Sequence, residues 1–353
     1  MKRNIFILVA LICTLIKASC GADKPEKPAE YEIAMIADSS EIEDGSFTQC
    51  TWESVEGFAG SNGLTSKCYT PEESTKEAYL DSIEKAVNNK AKMIVLAGSN
   101  FETAAFSAQS MYPDVNFLLI DGVPHDTGDK YGAASNTIGV IFAEEQAGYM
   151  AGYAAVKDGY HKLGFMGGKS LPPVKRYGYG FVQGVAAAAQ ELEQKVEITY
   201  KYMETFEPSE DVKEEAAKWY EDGVKVIFAC GGRMGNAVMD AAEECRGKVI
   251  GADNDQSYLS GTVITSAQKE IDVVVNDMLS NYADGKYVGG TAFNYTAQNG
   301  GVSLQMDNAK FTSFGKSDYE KLFNKLKNGK IELKKDTGVN NVSELTGEWV
   351  TIK

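Results

Sequence analysis

Charged side chains stand directly behind several short apolar runs of this 353-residue sequence, and their types suit the recognition of a hydroxylated molecule. Asp38 ends Y-E-I-A-M-I-A-D, Asp253 ends V-I-G-A-D, and Lys269 ends V-I-T-S-A-Q-K. A carboxylate and an ammonium that flank one crevice can hold a vicinal diol, because the carboxylate accepts from both hydroxyls while the ammonium donates. Taken alone, each charge has an alternative interpretation as a solvated surface group.

An aromatic residue follows the first of these carboxylates. Ser46 is of the type that caps helices, which places Phe47 in the first helical turn and aims it at the crevice behind the strand. A ring beside Asp38 suits a flat, hydroxylated ligand, since the ring stacks while the carboxylate accepts from N–H or O–H groups. The alternative is a core phenylalanine beside a capping aspartate.

Two glycine-rich segments follow other apolar runs. L-G-F-M-G-G-K-S (Leu163–Ser170) comes close to a phosphate loop, but that motif needs glycine where Leu163 stands, and its spacing fixes how the amides wrap a phosphate. The first apolar run also lacks the G-x-G-x-x-G of a dinucleotide fold. Nucleoside triphosphate hydrolysis is therefore excluded, and no cofactor is expected. In V-I-F-A-C-G-G-R-M-G-N (Val226–Asn236) the glycines allow close approach of a ligand to the backbone.

The composition restricts the partners and the chemistry. Lys and Arg total 35 against 50 Asp and Glu, a net charge of −15 that repels phosphate backbones, so nucleic acid is not an expected partner. Only two histidines, His125 and His161, are present, so a His-rich metal site or a histidine-based triad is hard to assemble, and no metal is expected. Asp253 and Asp255 leave one enzymatic alternative open, a secreted nucleoside-cleaving enzyme that uses them for Ca²⁺ or as acid and base.

The N-terminus has the features of an export signal. Lys2 and Arg3 precede the apolar run Ile5–Ile16, which is shorter than a membrane span, and small residues follow it. Residues 1–19 are therefore predicted to be a signal peptide.

The residues around the predicted cleavage site also suggest a lipid anchor. Ala18-Ser19 before Cys20 is similar to a bacterial lipobox, which predicts that Cys20 is acylated and anchors the protein at the extracytoplasmic face of the cell membrane. Lys17 stands where a lipobox usually has an aliphatic residue, and the alternative is an ordinary signal peptide. Residues 20–30 are predicted to be a flexible tether.

Apolar runs alternate with amphipathic stretches along the rest of the chain. The predicted strands are Glu32–Asp38, Thr65–Tyr69, Met93–Ala97, Asn116–Asp121, Thr137–Ile141, Lys162–Met166, Val196–Tyr202, Val224–Ala229, Lys248–Ala252 and Val263–Ser266. The predicted helices are Phe47–Gly60, Glu73–Asn89, Phe101–Met111, Glu144–Lys157, Val174–Leu192, Ser209–Glu221, Asn236–Cys245 and Ile271–Ala283. Strands that are apolar on both faces, each followed by a helix, indicate an α/β protein with two doubly wound parallel sheets. Ligands bind such sheets at the carboxyl ends of the strands, where the charged residues above are found.

Four cysteines follow the tether. Cys230 and Cys245 fall near opposite ends of one βα unit, so they are predicted to be buried free thiols. Cys50 and Cys68 flank one helix and one strand. An exported protein permits a disulfide, so the sequence is compatible both with a disulfide between these two cysteines and with two free thiols.

An ordered set of segments between about Tyr31 and Gly301 resembles the basic membrane protein family. The segments are S-F-T-Q-C-T-W-E-S-V-E-G-F, N-T-I-G-V-I-F-A-E-E-Q-A-G-Y-M-A-G-Y, L-G-F-M-G-G, R-Y-G-Y-G-F, V-I-F-A-C-G-G, V-I-G-A-D-N-D-Q-S-Y-L and V-I-T-S-A-Q-K. Members of that family are lipoprotein receptors for purine nucleosides that serve ABC importers. The resemblance implies a type I periplasmic-binding-protein fold, in which two lobes joined by three crossovers close over a ligand. We expect an N-terminal lobe of residues 31–142 plus about 267–300 and a C-terminal lobe of residues 143–266 plus about 301–353.

The resemblance also assigns residues that face the purine base. Asp38 matches the aspartate that contacts the purine, and Phe47 matches the aromatic residue that stacks on it. Thr48 replaces the asparagine of the family's D-x-S-F-N-Q segment, which changes how the base edge is read. Phe228, or else Met234, is expected to supply the second face of the base sandwich.

Three further residues are assigned in the same way. Asp121 is the aspartate near the end of a stretch similar to the family's Y-P-D-V-x-F-x-x-I-D-G. Asp253 and Lys269 match the pair that holds the ribose hydroxyls.

These expectations combine into one functional prediction. The protein is expected to be a lipid-anchored substrate-binding protein, and no enzyme, that captures purine nucleosides such as inosine, guanosine or adenosine and delivers them to an ABC transporter permease. An alternative on the same fold is a receptor for a sugar or polyol, because such sites also combine stacked aromatic rings with carboxylates.

Overall fold

The structure, a computed structural model, describes residues 30–38, 42, 45–128 and 130–353. The predicted signal peptide, the predicted acylation at Cys20 and nearly all of the predicted tether lie outside these residues. Within the described part of the chain, every helix is too short or too polar to cross a membrane.

Thirteen strands and nine α-helices alternate along the described residues. The strands are β1 Ile33–Ile36, β2 Ser66–Tyr69, β3 Met93–Ala97, β4 Asn116–Ile120, β5 Thr137–Phe142, β6 Lys162–Gly167, β7 Val196–Tyr202, β8 Val226–Cys230, β9 Lys248–Asp253, β10 Val263–Lys269, β11 Thr291–Tyr295, β12 Val302–Leu304 and β13 Val350–Ile352. The helices are α1 Phe47–Ser61, α2 Lys76–Asn88, α3 Glu102–Met111, α4 Glu144–Lys157, α5 Pro172–Leu192, α6 Glu210–Glu221, α7 Met234–Cys245, α8 Ile271–Ala283 and α9 Lys316–Lys327.

The first sheet forms the N-terminal lobe. Its strands lie in the order β11-β5-β4-β3-β1-β2, and all of its strand pairs are parallel. Alternate residues of β1 face opposite sides of the sheet: Ile33 and Met35 pack in the core that includes α1 and α8, whereas Ala34 and Ile36 pack with α2 and α3. Because helices cover both faces, the strand ends are the part of the sheet left open to a ligand.

The second sheet forms the C-terminal lobe. Its strands lie in the order β12-β10-β9-β8-β6-β7-β13, and only β12, which pairs with β10, runs antiparallel to its neighbour among the described strands. Phe165, Phe181 and Phe228 are fully buried in its core. The last strand, β13, pairs Val350 with Val196 of β7 and so covers one edge of the sheet.

Three crossovers join the lobes, between β5 and α4, between β10 and α8, and between β11 and β12. The sequence places the second crossover at 266/267, but β10 continues to Lys269, which still pairs with Val302 of β12. The lobe boundary therefore falls three residues later than expected, directly after a predicted ligand-binding lysine.

Helices α4 and α5 of the C-terminal lobe pack in unusually close contact through glycines. A Cβ on Gly148 would stand 2.1 Å from the main-chain oxygen of Tyr177, and one on Gly184 would stand 2.0 Å from that of Tyr149. Only glycine permits this approach of two backbones. The A-G-Y-M-A-G-Y and R-Y-G-Y-G-F segments thus serve packing, and they fix α5, which carries Tyr177 to the ligand cavity described below.

The predicted alternation of strands and helices up to Ala283 is confirmed, and four elements beyond it were missed. Strand β11 is an edge strand with three of its five residues exposed, and β12 and β13 have three residues each, so none of them has a long apolar run. Helix α9 buries only Leu322 and Leu326. Elements of this kind are held by their neighbours, and their own sequence pattern is weak.

All four cysteines of the described residues are free thiols. The prediction of free thiols at Cys230 and Cys245 is confirmed, although only Cys230 is buried. Burial raises the pKa of Cys50 and of Cys68 to about 12, so both are protonated at neutral pH, and no disulfide joins them.

Candidate functional site

A cavity of about 240 Å³ opens between the lobes, where the strands of both sheets end. It is lined from the N-terminal lobe by residues that follow β1 to β4 and from the C-terminal lobe by residues at or after the ends of β6 to β10. This is the position at which open parallel sheets bind ligands. Six of the eight predicted ligand-binding residues line this one cavity: Asp38, Phe47, Thr48, Asp121, Asp253 and Lys269.

Lys269 is the centre of a buried cluster of charges in the cavity wall. Its Nζ lies 2.6 Å from Asp121 Oδ2, 3.2 Å from Asp253 Oδ1 and 3.5 Å from Glu144 Oε1, and the residue is only 4% exposed. The same Nζ lies 5.0 Å from the centre of the Phe47 ring. Asp121 and Phe47 belong to the N-terminal lobe, so Lys269 binds the two lobes together beside the cavity.

The cluster keeps its lysine charged. Burial alone lowers the pKa of Lys269, but the carboxylates of Asp121, Asp253 and Glu144 outweigh it and hold that pKa above its usual range. Burial raises the pKa of Asp121 to about 6, against the opposing effect of Lys269. At neutral pH the cavity therefore presents an ammonium donor beside carboxylate acceptors.

Glu144 supports Lys269 from outside the cavity. It is fully buried at the start of α4, directly after the first crossover, and its Oε2 accepts a 2.5 Å hydrogen bond from Arg176 Nε of α5. Its neighbour Glu145 is 2% exposed and lies 3.2 Å from Lys335 Nζ. The F-A-E-E segment, noted in the sequence only as part of a resemblance, is thus a buried pair of carboxylates with counter-ions on other elements.

Two of the cavity carboxylates sit on unusual backbone. Asp121 and Asp253 have φ angles of 68° and 69°, in the left-handed region that non-glycine residues rarely adopt. Such conformations persist where the surrounding structure holds them, and they cluster at binding sites. Oδ1 of Asp121 is buried and has no hydrogen-bond partner among the described residues, which is uncommon for a buried carboxylate oxygen.

Asp38 is held in place by two donors of its own lobe. The hydroxyl of Tyr79 donates to Oδ1, and Asn100 Nδ2 donates to Oδ2 at 2.6 Å. These two hydrogen bonds fix the orientation of the carboxylate. Asp38 and Asn100 both line the cavity.

Phe47 begins helix α1, as predicted, with Ser46 at the N-cap position. The N–H of Gly45 donates to Gln49 Oε1 at 2.6 Å, which closes the turn that leads into the helix. Ser46, Phe47 and Thr48 all line the cavity, so the start of α1 forms part of the wall in the N-terminal lobe.

Phe228 and Met234, expected as alternatives for the second face of the base sandwich, do not line the cavity. Phe228 is fully buried and packs edge-on against Tyr177 and Phe165, with ring centres 5.7 and 5.5 Å apart. The side chain of Met234 is fully buried in the core beside α6 and α7. Both residues belong to the packed interior behind the cavity wall.

Phe206 is an aromatic residue that lines the cavity from the C-terminal lobe and that sequence reasoning missed. A Cβ on Gly168 would stand 2.5 Å from its ring, so the ring lies directly on glycine backbone, and Lys169 Nζ is 5.6 Å from the ring centre. The N–H of Met234 donates to Phe206 O at 2.8 Å and fixes the segment after β7. The sequence signal that could have found Phe206 is the one that found Phe47, an aromatic residue between a strand and the next helix.

Tyr177 is a second lining residue that sequence reasoning missed. Its hydroxyl lies 3.3 Å from Asp253 Oδ1 and 3.2 Å from the main-chain oxygen of Ala267, so its one proton is shared between these two acceptors. Burial raises the pKa of Tyr177 well above its usual value, so the hydroxyl stays a donor. Tyr177 thereby orients Asp253 toward Lys269.

Among the described residues, no group of three or more His, Cys, Asp and Glu side chains is placed to hold a metal ion. What the cavity offers is hydrogen-bond donors and acceptors together with aromatic faces.

Known proteins resemble this chain over most of its length. A family model described as "ABC transporter substrate-binding protein PnrA-like" matches residues 31–337. The ABC transporter nucleoside-binding protein BmpA of Lactococcus lactis is 28% identical over 338 residues, covering 88% of this chain and 93% of that protein. Basic membrane protein A1 of Borrelia garinii is 27% identical over 316 residues, covering 88% and 90%.

Solved structures show the same architecture. An ABC transporter solute-binding protein from Aeropyrum pernix K1 superimposes with a TM-score of 0.76 at 19% identity, covering 89% of this chain and 95% of that chain. At that identity the likeness concerns the fold alone, and it confirms the predicted type I periplasmic-binding-protein fold.

Proposed function

The chain belongs to the PnrA-like family of ABC transporter substrate-binding proteins, and we propose that the substrate it captures between its lobes is a purine nucleoside. One observation carries the proposal: a single cavity combines a phenylalanine from each lobe, Phe47 and Phe206, with carboxylates and a buried ammonium. A planar base suits the rings, and a ribose suits the charged groups. The nucleoside-binding relative from Lactococcus lactis supports the same substrate class.

In this proposal the base lies between Phe47 and Phe206. Asp38, which Tyr79 and Asn100 orient, accepts hydrogen bonds from N–H groups at the edge of the base. Thr48 lines the cavity next to Phe47 and offers a hydroxyl that can donate or accept at the same edge.

The ribose lies against the buried charge cluster. Asp253 accepts from the ribose hydroxyls while Lys269 donates to them, and the unpartnered Oδ1 of Asp121 accepts a further hydroxyl. These groups recognise an uncharged polyhydroxylated ring.

The expected energies are sufficient for tight binding. Each stack of a base on an aromatic ring contributes roughly 1–3 kcal/mol. Each hydrogen bond to a charged group in a closed cleft contributes about 1.5–3 kcal/mol. Two stacks and several such bonds exceed the cost of ordering the ligand and closing the lobes.

As a substrate-binding protein of an ABC transporter, the protein is extracytoplasmic and works with a permease. Closure of the lobes over the nucleoside creates the state that the permease distinguishes from the open one. We propose that an acyl group at Cys20 keeps the receptor at the membrane. Metabolic labelling with a fatty-acid analogue tests this point, with label expected in the wild type and lost in Cys20→Ser.

Isothermal titration of the purified protein with inosine, guanosine and adenosine tests the substrate class. We expect a Kd below about 10 μM for at least one of them and a stoichiometry near one. Ribose and galactose, added as competitors in excess, should not displace the nucleoside. Displacement by either sugar, or no heat from any nucleoside, would refute the proposal in favour of a sugar or polyol receptor.

A further inference from the structure

Gln256 connects the two lobes at the cavity. Its Nε2 donates to the main-chain oxygen of Gly45 at 3.2 Å. Gln256 lies in the C-terminal lobe, in the turn after β9, and Gly45 lies in the N-terminal lobe, just before α1. Gln256 is 5% exposed and Gly45 is buried, so the bond is shielded from water.

The C-terminal lobe fixes Gln256 independently of this bond. Gln256 Oε1 accepts from Ala252 N at 3.1 Å, and Gln256 N donates to Ser266 Oγ at 3.1 Å. A Cβ on Gly251 would stand 2.6 Å from Oε1, so the side-chain amide lies directly on the backbone of β9. Only the Nε2 end of this side chain reaches across to the other lobe.

Gln256 contacts the N-terminal lobe at Gly45, a position that requires glycine. Gly45 has a φ of +70°, and a Cβ on it would stand 2.6 Å from Leu259 Cδ1. The backbone of Gly45 therefore lies directly against the C-terminal lobe. Gly45 N also donates to Gln49 of α1, and Phe47 opens that helix two residues after Gly45.

We propose that Gln256 is a positioning residue for the ligand, which acts through Gly45 to hold Phe47 in place from the opposite lobe and sets the rate at which bound ligand leaves. This inference rests on the proposed binding of a nucleoside beside Phe47. Gln256 does not line the cavity, so it has no direct contact with the ligand.

The position of the bond predicts which rate constant it controls. A contact between the lobes is present only when the cleft is closed, whereas a ligand enters an open cleft. Loss of the bond therefore leaves the association rate unchanged and accelerates release. A buried hydrogen bond of this kind corresponds to a roughly 5- to 30-fold faster dissociation.

Gln256→Glu removes the cross-lobe bond selectively, because a carboxylate still accepts from Ala252 N but cannot donate to Gly45 O. Gln109→Glu is the matched control. Gln109 is also 5% exposed, and it donates to Gly132 O at 3.0 Å and accepts from Ala134 N at 2.8 Å, all within the N-terminal lobe. Gln256→Met and Gln109→Met repeat the comparison without a new charge.

Stopped-flow kinetics with the nucleoside that binds the wild type most tightly, together with thermal unfolding of each variant, decides the matter. We expect both pairs of variants to lower Tm similarly, and only the Gln256 variants to release the nucleoside faster at an unchanged association rate. Release at the wild-type rate from Gln256→Glu and Gln256→Met, or equal acceleration in the Gln109 variants, would overturn the inference while the proposed function stands. A wild type that binds no nucleoside would overturn both.

Discussion

Lys269 Nζ lies 2.6 Å from Asp121 Oδ2, so the last residue of a strand in the C-terminal lobe is paired with an aspartate of the N-terminal lobe. The chain crosses between lobes directly after Lys269, which places this ammonium at the hinge and at the cavity together. The pair is buried, and Asp253 and Glu144 complete its surroundings. A single lysine thus lines the cavity and joins the two lobes.

Replacement of Lys269 should affect binding and stability together. Lys269→Met leaves the buried carboxylates of Asp121 and Glu144 and the partly buried carboxylate of Asp253 without their shared cation, which costs about 3–5 kcal/mol of folding free energy. We expect nucleoside affinity to fall roughly 10- to 150-fold, because a charged donor to the ribose is lost. Titration calorimetry and denaturant unfolding measure the two effects.

The control is Lys286→Met, whose side chain is 69% exposed and, among the described residues, pairs with a neighbouring surface aspartate, Asp284. It should leave both properties within error of the wild type. Adding Asp121→Asn to Lys269→Met should restore part of the stability, and a further loss in the double variant would contradict the ion-pair account.

The raised pKa of Asp121 predicts a specific pH dependence. Its pKa is about 6 in the folded protein against 3.8 ordinarily, so folding favours the protonated form. The contribution of Asp121 to stability is therefore fully present below about pH 4 and is lost as the pH rises through about 6. Binding has the opposite sign, since the ionised carboxylate is the acceptor, and nucleoside affinity should fall as the pH drops from 7.5 to 5.

Asp121→Asn isolates this group from the other carboxylates. The difference in unfolding free energy between wild type and variant, measured in urea at pH 4, 5, 6 and 7, should change chiefly between pH 4 and 6. A difference that stays constant over this range would show that Asp121 does not titrate there.

Phe206 and Phe228 should respond to substitution in opposite ways. Phe206 is half-buried in the cavity wall, so Phe206→Ala should weaken nucleoside binding by roughly 1–3 kcal/mol, or about 5- to 150-fold, with a small change in Tm. Phe228 is a fully buried core residue, so Phe228→Ala should cost about 3–5 kcal/mol of stability. Calorimetric titration and chemical unfolding of both variants test the contrast, which would be reversed if Phe228 were the stacking residue.

Glycines of the α4–α5 contact should be intolerant of any side chain. A Cβ on Gly180 would stand 2.0 Å from Glu145 O, so Gly180→Ala must separate two packed helices, and we expect a loss of several kcal/mol. Gly57 provides the comparison, because it is exposed within α1 and a Cβ there meets nothing within 4 Å. Gly57→Ala should stabilise the protein by about 0.5–1 kcal/mol. Unfolding in urea measures both, and similar effects at the two positions would contradict the packing argument.

The sequence was informative where a local pattern carried the structure. Buried strands such as Met93–Ala97 are apolar throughout, so their ends, and the charged residues behind them, could be placed before the fold was known. Asp38, Asp253 and Lys269 follow this rule and line one cavity. Phe47 could be found because Ser46, a residue type common at the N-cap position, indicates where its helix begins.

The sequence was less informative where tertiary contacts decide. Phe228 and Phe206 are both phenylalanines close to a strand end, and only the direction of the side chain separates a core residue from a lining one. Tyr177, the second residue of the helical segment R-Y-G-Y-G-F, reaches the cavity because glycines allow α5 to pack tightly on α4. The partners of Glu144 are Arg176 of α5 and Lys269 at the end of β10, and no local pattern reveals either contact.

The most direct test of the central claim is the identity of the small molecule that the protein holds. Purified protein is incubated with inosine, guanosine and adenosine, freed of excess ligand by gel filtration and denatured, and the released molecules are identified by chromatography and mass spectrometry. We predict one intact purine nucleoside per protein molecule, and much less from Lys269→Met. Release of free base and ribose, or of no nucleoside at all, would contradict the account.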